Sequence, residues 1–392
     1  MMIDDPAPWV EAAGRWEAAL PAIRDTEAQG PLVEPARRME AFVRHQQETA
    51  AGDAMWAGMR APPITEMFGA ERVIGANDML SFDTLQKAIA IGRFVGMIGP
   101  RAVTGAVPEG VATGSMVSPR LLLTNRHVLG SPDEAAQSRV TFDYQLGVDG
   151  KPLVTSSFDL VPDAFFVTDR TLDYTLVAVA PEGDHGRPLS DFGWNQLIGT
   201  EGKILRGHPV NIIQHPEGGY KQIVLGNNRV LELVEHFFLY EADTLPGSSG
   251  SPVFNRQWEI VALHRRSVPR VVDGNIMTKG GQVWREDIPE RQIDWIGNEG
   301  TRVSSLVRHL QEQPLTGDQA ALRKDLLDKR APKPFQVATE ALGRGAGRAI
   351  ATQSAGVAVP IAPALLPRPL QVTIALTVNV VVAAQRHQGA RA

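Results

Sequence analysis

The segment Asp243-Thr-Leu-Pro-Gly-Ser-Ser-Gly-Ser-Pro-Val-Phe254 combines two glycines and three serines with an apolar end. Gly247 and Gly250 carry no Cβ, so they allow a tight backbone turn and the close approach of a ligand. The Val253-Phe254 pair can anchor that turn in a core strand. In such a loop the N–H groups of Gly247 and Ser249 can converge on one developing oxyanion. If Ser249 is a nucleophile, the chain must also supply a base and an orienting carboxylate.

Both groups stand upstream. His127 ends the stretch Leu121-Leu-Leu-Thr-Asn-Arg-His127, where an apolar strand gives way to a loop, and residues 112–119 have the pattern of the preceding strand and its turn. Asp173 directly precedes an alternating apolar strand. A buried Asp173 can select the tautomer of His127 and stabilise the imidazolium that forms when His127 takes the Ser249 proton. We therefore predict His127, Asp173 and Ser249 as catalytic residues.

The chain order His–Asp–Ser is that of the chymotrypsin fold. The phrases around these three residues resemble trypsin-like serine peptidases of the glutamyl-endopeptidase branch, and more closely the bacterial cytosolic members. Three further phrases support the resemblance: Gly75-Ala-Asn-Asp78, Ile212-Ile-Gln-His-Pro-Glu-Gly-Gly219 and Asn298-Glu-Gly-Thr-Arg-Val-Ser304. The similarity covers roughly residues 70–310. It implies a serine endopeptidase that acts on protein or peptide substrates without a metal ion or cofactor.

Strand patterns separated by turn signals run from about 94 to 270, with no alternation of strands and helices. They predict an all-β core of two antiparallel six-stranded barrels, chymotrypsin-like, with the cleft between them. The candidate strands are 94–98, 112–117, 120–124, 139–145, 153–155, 175–180, 210–214, 221–225, 229–234, 236–240, 251–255 and 258–264. A closing helix is predicted over 300–313.

Apolar residues at helical spacing predict helices over 8–24 and 34–50, so residues 1–65 form a helical N-terminal appendage. These helices either pack on the peptidase domain, predicted over 70–313, or dock a partner protein. A linker over 314–369 follows, rich in Ala, Gly and Pro from 331 onward. Residues 370–392 form a predicted tail strand that needs a sheet edge to pair with.

Substrate preference is predicted to depend on Asp243, Thr244 and His264. Asp243 lies six residues before Ser249 (249 − 243 = 6), and in trypsins an acid at that offset binds a P1 Arg or Lys. Glutamyl endopeptidases instead use a Thr five residues before the nucleophile and a His on the following strand to bind a P1 carboxylate, which Thr244 and His264 match. Asp243 could also be purely structural. We predict that P1 Arg or Lys is favoured over Glu, and the acidic preference stays open.

Composition narrows the class of protein. A net charge of −5 over 392 residues provides no basic surface for nucleic acid. The chain contains no cysteine, which suits a reducing compartment. We expect no signal peptide, because the first residues lack a basic stretch followed by an apolar one, and no run is long and apolar enough for a membrane span. The sequence predicts a cytoplasmic enzyme.

The sequence leaves open whether the chain needs activation by cleavage and whether it is an enzyme at all. Ser248 occupies the position where trypsin zymogens need an Asp, so that amine-driven switch is not expected. Glu71-Arg-Val-Ile-Gly75 resembles a tryptic activation site with cleavage after Arg72, although the start of an apolar strand is the usual meaning of Val-Ile. The alternative to an enzyme is a catalytically silent protease-fold scaffold in a bacterial signalling or defence system, by analogy with the family.

Overall fold

The computed structural model describes residues 6–17, 35–52, 82–101, 111–226 and 228–331, and within them two antiparallel sheets of seven strands dominate. The first sheet contains β1 (Val95–Pro100), β2 (Ala112–Met116), β3 (Leu121–Thr124), β4 (Ser138–Phe142), β5 (Ser156–Asp159), β6 (Phe166–Asp169) and β7 (Tyr174–Ala178), in the order β5-β4-β1-β2-β3-β7-β6. The second contains β8 (Asn211–Gln214), β9 (Gln222–Val224), β10 (Val230–Leu233), β11 (Phe237–Tyr240), β12 (Pro252–Phe254), β13 (Ile260–Pro269) and β16 (Trp295–Arg302), in the order β10-β11-β16-β13-β12-β8-β9. A small ribbon pairs β14 (Val271–Val272) with β15 (Asn275–Ile276).

Both sheets curl. Leu160, just after β5, forms a bridge with Val179, just after β7, and so connects the two sides of the first sheet. Pro209 before β8 and Arg229 before β10 do the same in the second sheet. This is a mostly-β, chymotrypsin-like arrangement of two curled sheets, which confirms the predicted fold class.

The described helices lie outside the sheets. They are α1 (Ala7–Glu17), α2 (Ala36–Gly52), α3 (Asp83–Gly92), α4 (Pro132–Ala136), α5 (Val303–Glu312) and α6 (Gly317–Asp328), with short 3-10 turns at Asp184–Gly186, Leu189–Asp191, Pro216–Gly218 and Glu290–Gln292. None of the helices within the described ranges combines the length and the apolarity that crossing a membrane requires.

Strand β11 is buried on both faces. Because side chains alternate along a strand, Phe238 and Tyr240 point into the core of the second sheet, whereas Phe237 and Leu239 pack against α1 through Trp16 and its neighbours. The outer face of the second sheet is therefore covered by the N-terminal helix. This packing brings α1 next to β13, and Arg15 of α1 reaches Glu299 of β16.

Several element predictions need correction. Each sheet has seven strands instead of the predicted six. The additional strands are β6 in the first sheet and β16 in the second. β16 is rich in glycine and polar residues, and it is a strand because β11 and β13 pair with it on both sides. The strand predicted at 153–155 is wrong; the strand lies at Ser156–Asp159, paired with β4. The closing helix begins at Val303, after β16.

The predicted linker begins with a helix. Gly317–Asp328 is helical and its Leu326 is buried in the core with the closing helix, so the chain remains packed beyond residue 314. The segment 70–81, the remainder of the linker from 332 and the tail strand over 370–392 lie outside the described residues, as does the cleavage site predicted after Arg72. The division into domains remains a prediction.

Candidate active site

His127 and Asp173 are brought together by two paired strands. β3 and β7 are antiparallel neighbours in which Thr124 pairs with Thr175. His127 stands three residues after the end of β3, and Asp173 stands one residue before β7, so both lie at the same edge of the sheet. Asp173 adopts a left-handed backbone conformation, with φ at 51°. The side chain of Thr301 donates to the carbonyl of Leu172 at 2.7 Å and supports this turn from β16.

The two residues make contact at two points. The backbone N–H of His127 donates to Asp173 Oδ1 at 3.1 Å, and the ring Nδ1 lies 2.9 Å from Asp173 Oδ2. An ionised carboxylate only accepts hydrogen bonds, so Nδ1 must supply the hydrogen. The neutral ring of His127 then keeps Nε2 unprotonated. Its side chain is 41% exposed, whereas that of Asp173 is buried.

Asp173 is surrounded by positive charge. Arg265 Nε donates to its Oδ2 at 3.2 Å, and Arg266 lies 3.5 Å from the same oxygen. Burial by itself would raise the pKa of Asp173, but the hydrogen bond from His127 and the charges of His127, Arg265 and Arg266 outweigh it and lower the pKa to about 2. The carboxylate therefore stays ionised at any physiological pH.

The Ser249 loop crosses from the second sheet to the first. Gly247 and Gly250 have φ values of 93° and 84°, which only glycine adopts without strain. The Ser249 carbonyl accepts the N–H of Thr113 on β2 at 2.9 Å, and the N–H of Gly250 donates to the carbonyl of His264 at 3.1 Å. The side chain of Thr113 donates to the Gly247 carbonyl at 3.0 Å. The loop is thus held against both sheets.

The N–H groups that flank Ser248 in this loop find no acceptor among the described residues. The N–H of Ser248 donates to the Leu245 carbonyl at 3.0 Å, while among the described residues none accepts from the N–H of Gly247 or of Ser249. Ser249 Oγ and His127 Nε2 likewise make no hydrogen bond with described residues, including each other. Catalytic hydrogen bonds are often long before substrate binds, so the geometry leaves these groups available to a ligand.

The three predicted specificity residues lie in different surroundings. The Asp243 side chain is exposed, so it does not form a buried pocket floor. Thr244 Oγ1 donates to Asn298 Oδ1 at 2.8 Å, which leaves the oxygen lone pairs of Thr244 as acceptors. His264 is buried, and its Nδ1 lies 2.6 Å from Tyr240 Oη. Burial, followed by the charge of His127, lowers the pKa of His264 to about 3, so it is neutral near pH 7.

Some residues of the site were not predicted. The guanidinium groups of Arg265 and Arg266 contact Asp173. Glu299 and Thr113 were not predicted either. Glu299 does lie within the phrase Asn298–Ser304 that supports the family resemblance, and this was the available signal. Within the described ranges, no three His, Cys, Asp or Glu side chains are grouped so that they could hold a metal ion.

Sequence comparison agrees with this fold and geometry. Residues 112–263 match the family model of the trypsin-like peptidase domain. The family match supports a serine protease.

Two curated proteins are similar in sequence to this chain, one over 301 residues and one over 167. The uncharacterized protein y4fB of Sinorhizobium fredii is 33% identical over 301 residues, which are 72% of this chain and 43% of that protein. Exfoliative toxin A of Staphylococcus aureus is 25% identical over 167 residues, which are 40% of this chain and 56% of the toxin. The chain thus spans about half the length of the curated relatives that it matches.

Solved protease structures are similar at low identity. The inactive form of the Rv3671c protease, of M. tuberculosis, shares 15% identity over 62% of this chain and 100% of its own, with a TM-score of 0.36. The MamO protease domain of Magnetospirillum magneticum shares 16% identity over 57% of this chain and 98% of its own, with a TM-score of 0.34.

Proposed function

We propose that this chain is a serine endopeptidase in which Ser249 is the nucleophile, His127 the general base and Asp173 the residue that orients His127. The main supporting observation is the two-point contact between Asp173 and His127. It leaves Nε2 unprotonated on the exposed side chain that must accept a proton. The unpaired N–H groups of Gly247 and Ser249 are the proposed oxyanion donors.

The proposed reaction follows from these roles. Ser249 Oγ bonds to the carbonyl carbon of the scissile peptide while its proton moves to His127 Nε2. The peptide C–N bond then breaks, and His127 returns the proton to the leaving amine. Water, deprotonated by His127, hydrolyses the acyl-enzyme and regenerates Ser249. Asp173 stays ionised throughout and stabilises the imidazolium.

Labelling with a fluorophosphonate probe tests the proposal. We expect the wild-type chain to be labelled and Ser249→Ala not to be. Ser251→Ala is the matched control, because the Ser251 hydroxyl lies buried in the same loop, has no hydrogen-bond partner among the described residues and should tolerate removal. Retained labelling of Ser249→Ala would refute the assignment. A correctly folded wild-type chain that neither reacts nor cleaves peptides would favour the silent scaffold.

For the P1 residue, we propose Arg or Lys over Glu. The support is the exposed carboxylate of Asp243 beside Thr244, whose hydroxyl oxygen can accept a hydrogen bond from a guanidinium or ammonium group. Peptide-library profiling should show that Asp243→Asn, which keeps the size and removes the charge, loses the basic preference. An unchanged P1 profile in Asp243→Asn would exclude this role.

An acidic P1 is the second candidate, and His264 is the observation that favours it. Tyr240 has its pKa raised well above the ordinary value by burial, so its hydroxyl stays protonated and donates to His264 Nδ1. His264 Nε2 then bears the hydrogen and can donate to a substrate carboxylate. Cleavage after Glu that disappears in His264→Gln and persists in Asp243→Asn would establish this alternative.

We further propose that the substrates are proteins or peptides and that the location is the cytoplasm, since a chain without cysteine suits a reducing compartment. The helices α1 and α2 remain a candidate surface for a partner protein. Fractionation with an antibody against the chain tests the location, and recovery in a secreted fraction would contradict it.

A further inference from the structure

Glu299 is a fully buried carboxylate in the middle of β16, with 0% exposure. A buried charge is costly unless it is paired and hydrogen-bonded. Arg265 Nη1 donates to its Oε1 at 2.8 Å. The other donors among the described residues come from α1, more than 280 positions away in the chain: Arg15 Nη2 to Oε1 at 2.8 Å, Arg15 Nε to Oε2 at 2.9 Å and Trp16 Nε1 to Oε2 at 3.0 Å. The N-terminal helix therefore supplies three of the four hydrogen bonds that the Glu299 carboxylate accepts from described residues.

Arg265 is shared between Glu299 and Asp173. Its Nη1 bonds Glu299 and its Nε bonds Asp173, and the guanidinium is planar, so the two carboxylates are held at a defined separation. The side chain is buried, and the guanidinium groups of Arg265 and Arg15 both lie 4.9 Å from the ring centroid of Phe237. A change in the position of Glu299 is thereby transmitted to the carboxylate that contacts His127.

A second connection runs in parallel. Arg266 Nη1 donates to the backbone carbonyl of Pro8, at the start of α1, at 2.9 Å, and its Nη2 lies 3.5 Å from Asp173 Oδ2. Both arginines that face Asp173 thus contact α1, one through Glu299 and one directly. The helix α1 therefore contacts the charged groups behind Asp173 at two points, Glu299 and Arg266.

We propose that α1 is a positioning element of the active site. Arg15 and Trp16 hold Glu299, which in turn holds Arg265, while the Pro8 carbonyl holds Arg266. The two arginines then fix Asp173 against His127. This inference rests on the proposed function, because it assigns a role relative to the proposed triad. In it, Arg265 and Glu299 are positioning residues, since they act on the reacting groups only through Asp173.

The network makes charge-specific predictions. Asp173, in the turn before β7, contacts His127 directly. The other charged or titratable groups of the network lie behind it: neutral His264, Arg265 and Arg266 on β13, Glu299 on β16, and Arg15 with Glu11 on α1. Removing a positive charge favours the protonated imidazole, and removing a negative charge disfavours it. Arg265→Gln should therefore move the acid limb of the kcat/KM profile to higher pH, by about one pH unit, while Glu299→Gln should move it to lower pH.

The test uses full-length variants of α1. Arg15→Gln and Trp16→Phe remove donors while they keep most of the packing, and Glu17→Gln on an exposed position of the same helix is the control. We expect kcat of the Arg15→Gln, Trp16→Phe double variant to fall about tenfold with KM changed less than about twofold, because misplaced catalytic groups reduce the chemical step. Arg15→Lys keeps the positive charge but cannot donate to both oxygens of Glu299 as the guanidinium does, so its kcat should lie between those of the wild type and Arg15→Gln.

The outcomes separate this inference from the proposed function. A wild-type chain that the probe does not label means that the proposed function has failed. An active, labelled wild type whose α1 variants match Glu17→Gln in kcat and in pH profile overturns the positioning role alone. The positioning role is also overturned if the α1 variants lower the melting temperature but leave kcat, measured well below that temperature, unchanged. It is overturned as well if Arg265→Gln and Glu299→Gln shift the acid limb of the kcat/KM profile in the same direction.

Discussion

The carboxylate of Asp173 contacts His127 at both the backbone and the ring, with Oδ1 3.1 Å from the backbone nitrogen and Oδ2 2.9 Å from Nδ1. The backbone contact fixes where the carboxylate lies, and the ring contact fixes how the imidazole is oriented. Because Arg265 approaches the same Oδ2, the charge that orients the base is itself compensated. Four predictions follow from this site and its surroundings.

Asp173→Asn should lower kcat by about 10⁴-fold, because an amide at this position can donate to Nδ1 and favour the wrong tautomer of His127. Steady-state kinetics on the best peptide substrate provide the measurement. Asp184→Asn is the control, since Asp184 forms an exposed ion pair with Arg139 and should retain full activity. A variant within tenfold of the wild type would remove Asp173 from the proposed mechanism.

The same carboxylate should make stability depend on acid. Its pKa is lowered from 3.8 to about 2 in the folded chain, so its contribution is complete above pH 3.8 and is lost as the pH falls towards 2. The shift corresponds to about 2 kcal/mol. Urea unfolding at pH 5 and at pH 2 should show a loss that is larger by about this amount in the wild type than in Asp173→Asn. Equal losses in the two proteins would contradict the lowered pKa.

Gly250→Ala should destabilise the fold and abolish activity. A Cβ on Gly250 would lie 2.1 Å from the Thr113 carbonyl oxygen and 2.4 Å from Thr124 Oγ1, at a φ of 84°. Gly150→Ala is the control that separates backbone strain from steric overlap of the added Cβ. Gly150 also has a positive φ, 74°, but nothing lies within 4 Å of the added carbon. We expect about 1 kcal/mol for Gly150→Ala and at least twice that for Gly250→Ala. Thermal unfolding gives the comparison, and equal effects would show that the loop does not press against β2.

Thr113→Val should reduce kcat about tenfold, because the Thr113 hydroxyl donates to the Gly247 carbonyl at 3.0 Å and accepts from the His215 N–H at 3.0 Å. Its removal releases one side of the loop that presents the proposed oxyanion donors. Thr141→Val is the matched control: Thr141 is buried in the same sheet and bonds Ser157 at 2.9 Å. Both variants should lose about 1 kcal/mol of stability. If Thr141→Val lowers kcat as much as Thr113→Val does, the contact between Thr113 and Gly247 has no specific role in catalysis.

Local patterns were sufficient for much of the fold. Alternating apolar residues located most strands, and the apolar face of the closing helix located α5. They failed where pairing outweighs composition: β16 contains Gly297, Asn298, Glu299 and Gly300, yet it is a strand between β11 and β13. Gly317–Asp328 was assigned to a linker, although its Leu326 packs in the core.

The candidate site divides in the same way. Turn glycines and strand ends depend on local chemistry, and with the chain order of His127, Asp173 and Ser249 they were enough to propose the triad from the sequence alone. The charge environment depends on residues that are distant in the chain. Arg15 and Glu299 are 284 positions apart, and no local pattern records that their side chains meet. Only the tertiary structure decided that two arginines of β13 contact Asp173 and that Glu299 and α1 contact those arginines in turn, because burial and ion pairing arise from the folded chain as a whole.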